Sequence, residues 1–153
     1  MIADLSSTHA SVSVTLEGLG GLRVDTTEVT ITQFRRYAHA TGTVTAAERE
    51  GGGFEYEGGW QRRSGWTWQQ PEGTVPASDG LPAAHLNHAE AQAYCRHAGG
   101  RLHTAAEWRQ AAFTELRRPP PPPWVRGTTY PWPTGQTVHK KLIKADHDLS
   151  ALG

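Results

Sequence analysis

The chain has 153 residues with 15 basic and 15 acidic side chains, and this zero formal charge leaves a nucleic-acid or anionic-membrane partner without electrostatic support. The length suits one domain, but Leu, Ile, Val and Phe together make only 25 residues, so the six Trp and four Tyr must supply much of any core. One cysteine, Cys95, excludes an internal disulfide.

The opening "MIADLSSTHASVSV" has no basic region followed by an apolar run, and nowhere do eighteen apolar residues stand together. The expectation is a soluble, cytoplasmic protein without a membrane span. Residues 1–11 read as an N-terminal tail. Val12, Val14 and Leu16 alternate with polar residues, Gly18, Gly20 and Gly21 interrupt, and Leu22 and Val24 resume the pattern, which predicts two short strands joined by a glycine turn.

In "TITQFRRYAHATG", Thr30 and Gln33 form a capping box, Ile31, Phe34, Tyr37 and Ala38 share one face, and Gly42 stands just past the end of a predicted helix. From Thr43 to Pro82 there is little periodicity, and the reading is a long ordered loop with one short strand around Gly65 to Trp68. Asn87 and Glu90 then open a second helix whose inner stripe is Ala91, Tyr94, Cys95 and Ala98, ended by Gly99. Thr104 and Glu107 open a third, with Trp108, Ala111 and Ala112 expected to face inward. The run Pro119 to Pro123 is expected to be a stiff polyproline II segment, more a spacer than a docking motif.

All twelve arginines lie at or before Arg126, whereas the three lysines are Lys140, Lys141 and Lys144. Residues 134–153 therefore read as a divergent, Lys-containing tail. It is either a solvated end or a segment foreign to the domain, as a change of reading frame after Pro133 would produce.

Chemistry-bearing residues are few. Glu28 and Glu107 read as structural carboxylates, held by backbone donors or by an arginine such as Arg101. His85 and His88 stand three apart at a helix start, with His97 and His103 nearby in sequence. They are the candidate iron or zinc ligands, although the spacing matches no standard ligand pattern and a helix N-terminus disfavours added positive charge. Cys95 lies on an apolar stripe, where a thiol is usually inert. Trp60, Trp66 and Trp68, set among Gly59, Arg62 and Gly65, suggest a stacking platform for a peptide or glycan.

Five segments in order, "VDTTEVTITQFRRYAHATG", "TAAEREGG", "GWTWQQPEG", "NHAEAQAYCRHAGGRLHTAAEWRQAA" and "TTYPW", resemble the formylglycine-generating, sulfatase-modifying-factor enzyme family. The most specific stretch keeps Ala93, Tyr94, Cys95, Gly99, Arg101, Leu102, Thr104, Ala106, Glu107 and Trp108. With Glu28 and Phe34, these are read as structural motif positions. His103 stands where the family has proline, Ala105 where it has glutamate, "HLN" at 85–87 where it has Val-Ser-Trp, and Pro133 where it has glycine.

The resemblance implies an α+β fold of the C-type-lectin-like type with little regular secondary structure, here incomplete, as a partial domain over 12–133. It also implies a copper ion held by two cysteines of the C-terminal half, at which oxygen oxidises a cysteine of a sulfatase peptide. This chain has neither cysteine, and Cys95 matches a scaffold position, so no catalytic residue and no cofactor is assigned to it.

The leading expectation is a truncated member of the family without the oxidising centre, completed if at all by a partner chain. The alternatives are an iron-dependent oxidase or sulfoxide synthase of the same fold using histidines, and a non-catalytic lectin-like module presenting the Trp60–Trp68 loop.

Overall fold

The computed structural model of the chain describes residues 10–137. The expected tail 1–11 and the lysine-bearing segment therefore lie wholly or largely outside the described residues. The elements in chain order are β1 (Ser11–Leu16), β2 (Gly20–Asp25), α1 (Ile31–Thr41), α2 (Ala46–Arg49), β3 (Gly52–Tyr56), β4 (Trp60–Ser64), α3 (His88–His97) and α4 (Ala105–Phe113). They make a mixed α and β chain with two small sheets, β1–β2 and the antiparallel β3–β4. The residues divide into two compact units: 10–12 with Asp25–Leu102, and Ser13–Val24 with 103–137.

In the first unit the core is aromatic, as the scarcity of aliphatic residues requires. Ile31, Phe34, Tyr37 and Ala38 of α1 are buried with Trp68 and with Tyr94 of α3. The Phe34 ring lies 5.3 Å from Tyr37, 5.1 Å from Trp68 and 5.6 Å from Tyr94, centroid to centroid. Such offset and edge-on ring pairs each add about 0.5–1.5 kcal/mol beyond their area burial. Val29, Ala83, Leu86, Cys95 and Ala98 pack around this cluster.

Each of the four helices starts with a complete capping box, Thr30–Gln33, Thr45–Glu48, Asn87–Glu90 and Thr104–Glu107. Loss of such a cap costs about 1 kcal/mol. Gly42 ends α1 at φ 69°, a left-handed conformation that a residue with a Cβ adopts only at a cost. After α3 the chain turns through Gly99 and Gly100, whose N–H groups donate to the carbonyls of Arg96 and Cys95.

Two of the caps reach beyond their own helix. Glu90 accepts the Asn87 N–H on one oxygen and, on the other, the Ala46 N–H at 2.6 Å, which fastens the start of α2 to α3. Glu48 accepts the Thr45 N–H and hydroxyl, the Trp68 indole N–H at 3.1 Å and the Gln69 amide at 3.1 Å.

The stretch from Thr43 to Pro82 departs from expectation. No strand runs through Gly65 to Trp68, where only an isolated bridge joins Thr67 to Gln70. Instead the segment holds the short helix α2 and the β3–β4 hairpin, which pairs Gly52 with Ser64 through Tyr56 with Trp60. Gly53 is required at a close approach: a Cβ there would lie 2.2 Å from the His85 ring.

In the second unit, β1 and β2 form the hairpin read from the glycine break, with Leu16 buried. Two expectations for α4 are corrected here. Trp108 does not fill a core. It is 53% exposed and stacks on His103 at 5.0 Å, because the buried face of α4 runs through its neighbour Glu107 and leaves position 108 to the side. Ala111 is likewise exposed and Ala112 half-buried. Nor is Pro119 to Pro123 a uniform extended rod. The Arg118–Pro119 and Pro122–Pro123 peptides are cis, and a turn closed by the Trp124 N–H to the Pro121 carbonyl returns Trp124 against Tyr130 at 4.8 Å. Glu28, expected as a held structural carboxylate, is exposed.

Burial pushes the Glu48 carboxyl up, but its hydrogen bonds from Thr45, Trp68 and Gln69 outweigh that and leave its pKa lowered. A pKa depressed on folding gives stability that is full above the unfolded-state value and fades as pH falls through the folded one. Thermal melts between pH 6 and pH 3 will accordingly show the native chain losing more stability than Glu48→Gln, which starts lower and has the flatter acid limb.

Candidate functional site

The histidines proposed as metal ligands do not converge. His85 sits at φ 57° in the turn before α3, packs against Trp66 at 5.5 Å and makes a 2.8 Å hydrogen bond through Nε2 with the Pro71 carbonyl. That contact and the bare backbone of Gly53 explain its position: the imidazole is a spacer between the hairpin and the loop that carries Pro71. His88 is exposed on the first turn of α3. His97 lies edge-on to Tyr37 at 5.1 Å, and His103 belongs to the other unit. Among the described residues no group of three or more His, Cys, Asp or Glu is placed to hold a metal ion.

The three tryptophans are also separated. Trp68 is 2% exposed and belongs to the core through Phe34 and Glu48. Trp66 is half-buried against His85, and a Cβ on Gly73 would meet its ring at 2.7 Å. Trp60 alone is open to solvent, at 74%. No platform of three rings forms, because residues 66 and 68 continue from β4 into a turn that folds back over α1 and α2.

A different exposed face replaces it. Phe54 and Tyr56 of β3 stand opposite Arg62 and Trp60 of β4, and the alternation of a strand puts all four on one side of the hairpin. Trp60 lies edge-on to Tyr56 at 5.5 Å, and the Arg62 guanidinium covers the Phe54 ring at 4.7 Å. Arg62 is itself held by the Glu50 carbonyl and carboxylate at 2.8 and 2.5 Å. On the other side, Arg63 bridges Glu55 and Glu57. The sequence carried a signal for this face in the alternation "FEYEGGWQR", where two glycines mark a hairpin turn.

Cys95 is half-buried on α3 against the aromatic cluster. Burial, with a smaller contribution from the Asp25 carboxylate, pushes its thiol pKa up. The adjoining Tyr94 phenol is pushed up to about 12, again chiefly by burial. A protonated thiol is a poor nucleophile and a poor metal ligand. Copper bound by a cysteine pair does not fit this donor set, since Cys95 is the only thiol of the chain.

The motif positions Thr104 and Glu107 thus act in a helix start, as Asn87 does for α3, and Phe34 and Tyr94 in the core. Leu102 is half-buried, and Arg101 donates to the Leu102 carbonyl at 3.1 Å. The family model of the sulfatase-modifying factor enzyme 1-like domain matches residues 8–148, nearly the whole chain. The chain belongs to this family. The match runs past Pro133 into the lysine-bearing segment.

Within the family, the chain is 33% identical over 106 residues to the formylglycine-generating enzyme of Bos taurus, covering 56% of this chain and 28% of that protein. It is 33% identical over 109 residues to the Streptomyces coelicolor enzyme, covering 58% and 35% of the two chains. To the enzyme of Thermomonospora curvata it is 32% identical over 129 residues, covering 71% and 40%. The matched part therefore spans well under half the length of these relatives. Among the described residues no helix is long and apolar enough to cross a membrane.

The divergent environments of the tryptophans set a clear contrast. Trp68→Ala will lower unfolding free energy in urea by about 3–5 kcal/mol, the range for a deleted core aromatic. Trp60→Ala and Trp108→Ala, at exposed positions, will each change it by about 0.5 kcal/mol or less.

Proposed function

We propose that this chain is the N-terminal and central scaffold of a formylglycine-generating-enzyme-type domain of C-type-lectin-like fold, without a copper- and oxygen-dependent cysteine-oxidising centre among its own residues. The observation that carries the reading is the state of its one thiol. Cys95 is half-buried against the aromatic cluster with its pKa raised, which favours a packing role. Family membership supports the scaffold, and the aromatic cluster and capping boxes are what such a scaffold requires. On this reading, oxidation of a sulfatase peptide needs a cysteine pair from other sequence, such as a partner chain that completes the domain. The test is to incubate the purified chain with copper, oxygen and a cysteine-containing sulfatase peptide and to follow aldehyde by mass spectrometry, with copper(I) uptake measured by chelator competition. No aldehyde and no tight copper(I) binding are expected. Either one, with Cys95→Ser abolishing it, would overturn the proposal.

The exposed face of β3–β4 favours a second reading, a non-catalytic module that binds a peptide or glycan. Trp60 offers an exposed ring surface edge-on to Tyr56, the usual means of stacking on a sugar or an apolar side chain. On that reading a glycan or peptide array will show discrete binders that Trp60→Ala and Tyr56→Ala each weaken by about tenfold or more, with the melting temperature unchanged. An array without binders would exclude it.

A further inference from the structure

The second unit contains a cleft of about 760 Å³ that none of the preceding chemistry uses. Ser13 and Thr15 of β1, Thr114 at the end of α4, and Arg117, Arg118 and Arg126 are among the residues that line it. Its volume falls in the range of small-molecule sites, not of single ions. Three guanidinium groups and two carboxylates, Glu115 and Glu17, line it, an excess of one positive charge in a chain of zero formal net charge.

These charges are not equivalent. Glu115 is buried, and its two oxygens accept from the Arg117 N–H at 2.8 Å, from Nε at 2.9 and 3.1 Å, and from Nη2. Those hydrogen bonds hold the Glu115 carboxyl at a pKa of about 2, so it stays an anion and is satisfied by one partner. The same bonds fix the orientation of Arg117. They engage Nε and Nη2, leave Nη1 outside the pair, and place the guanidinium 5.7 Å from the Trp124 ring. Arg118 and Arg126 are exposed and make no ion pair among the described residues. The cleft thus combines one guanidinium whose position is set before any ligand arrives with two whose charge is not offset locally. Hydroxyls of Ser13 and Thr15 stand along the β1 wall. Planar guanidinium donors and hydroxyls are the groups that recognise phosphate and carboxylate oxygens.

We infer that this cleft binds a small molecule bearing a doubly charged oxyanion, either a phosphate monoester or a dicarboxylate, with Arg118 and Arg126 supplying the charge and Arg117 a fixed donor edge. Glu17, at the exposed tip of the hairpin, disfavours anionic groups at that end, so the ligand's uncharged part lies toward that tip and its oxyanion toward the arginines. The inference does not depend on the function proposed above, since it uses residues of the second unit only and neither Cys95 nor the β3–β4 face.

The experiment is an NMR titration of the whole chain with phenyl phosphate, succinate and, as the singly charged control, acetate, following backbone amides and arginine side-chain N–H signals. At least one dianion should saturate with a Kd below about 1 mM and shift Arg117, Arg118 and Arg126, with acetate about tenfold weaker. Which of the two binds tells a phosphate ester from a dicarboxylate. Added salt should weaken the complex. The double variant Arg118→Gln, Arg126→Gln, whose side chains hold no structural partner among the described residues, should keep the wild-type melting temperature and lose about tenfold or more in affinity. The inference is overturned if neither dianion moves these signals, if acetate binds as tightly, or if the double variant binds as well as the native chain.

Discussion

The Phe34 ring is the point on which the first unit depends. Two segments distant in sequence reach it, through Tyr94 of α3 and Trp68 of the loop after β4, beside Tyr37 of its own helix, in a chain short of aliphatic residues. Much of the chain's behaviour follows from that shortage. Aromatic residues that could have formed a surface platform are drawn inward, as Trp68 is, or used as spacers, as Trp66 and His85 are. What remains exposed, on β3–β4, is Phe54, Tyr56 and Trp60.

The helices are too short to persist alone, the longest being α1 with eleven residues, so their ends matter more than their interiors. Each begins with the same exchange of side-chain and backbone hydrogen bonds, and in two cases the capping carboxylate continues into tertiary structure. Glu90 carries the bond from α3 to α2, and Glu48 the bond from α2 to the Trp68 indole. The local signal and the packing are thereby the same atoms, and a carboxylate that looks catalytic in a list of residues is already satisfied by structural donors.

Membership of the sulfatase-modifying factor family supplies a scaffold, and chemistry has to be argued from the groups present. Here they separate into a packed thiol, dispersed histidines, an exposed aromatic hairpin and an arginine-lined cleft. Among the described residues the first two form no group of three or more candidate metal ligands. The last two are exposed surfaces, one aromatic with the Arg62 guanidinium over Phe54 and the other lined by Arg117, Arg118 and Arg126.

Residue pattern alone determined the β1–β2 hairpin, three of the four helices and their caps, and the buried stripe of α1, because those depend on interactions within about four residues of one another. Thr30 with Gln33, Asn87 with Glu90 and Thr104 with Glu107 are such pairs, and Gly42 is placed by its own backbone angle. The five ordered motifs likewise identified the family. The hairpin β3–β4 was written in the alternation of "FEYEGGWQR" but was obscured by an exposed apolar face, which breaks the usual link between periodicity and burial. Only the tertiary structure decided that Trp68 is core while Trp60 and Trp108 are surface, that His85 packs on Trp66 while His88 is exposed, and that three arginines line one cleft. Each of those outcomes depends on which distant segment comes to lie beside the residue. With so few aliphatic side chains to mark an inner face, the local pattern carries no information about that.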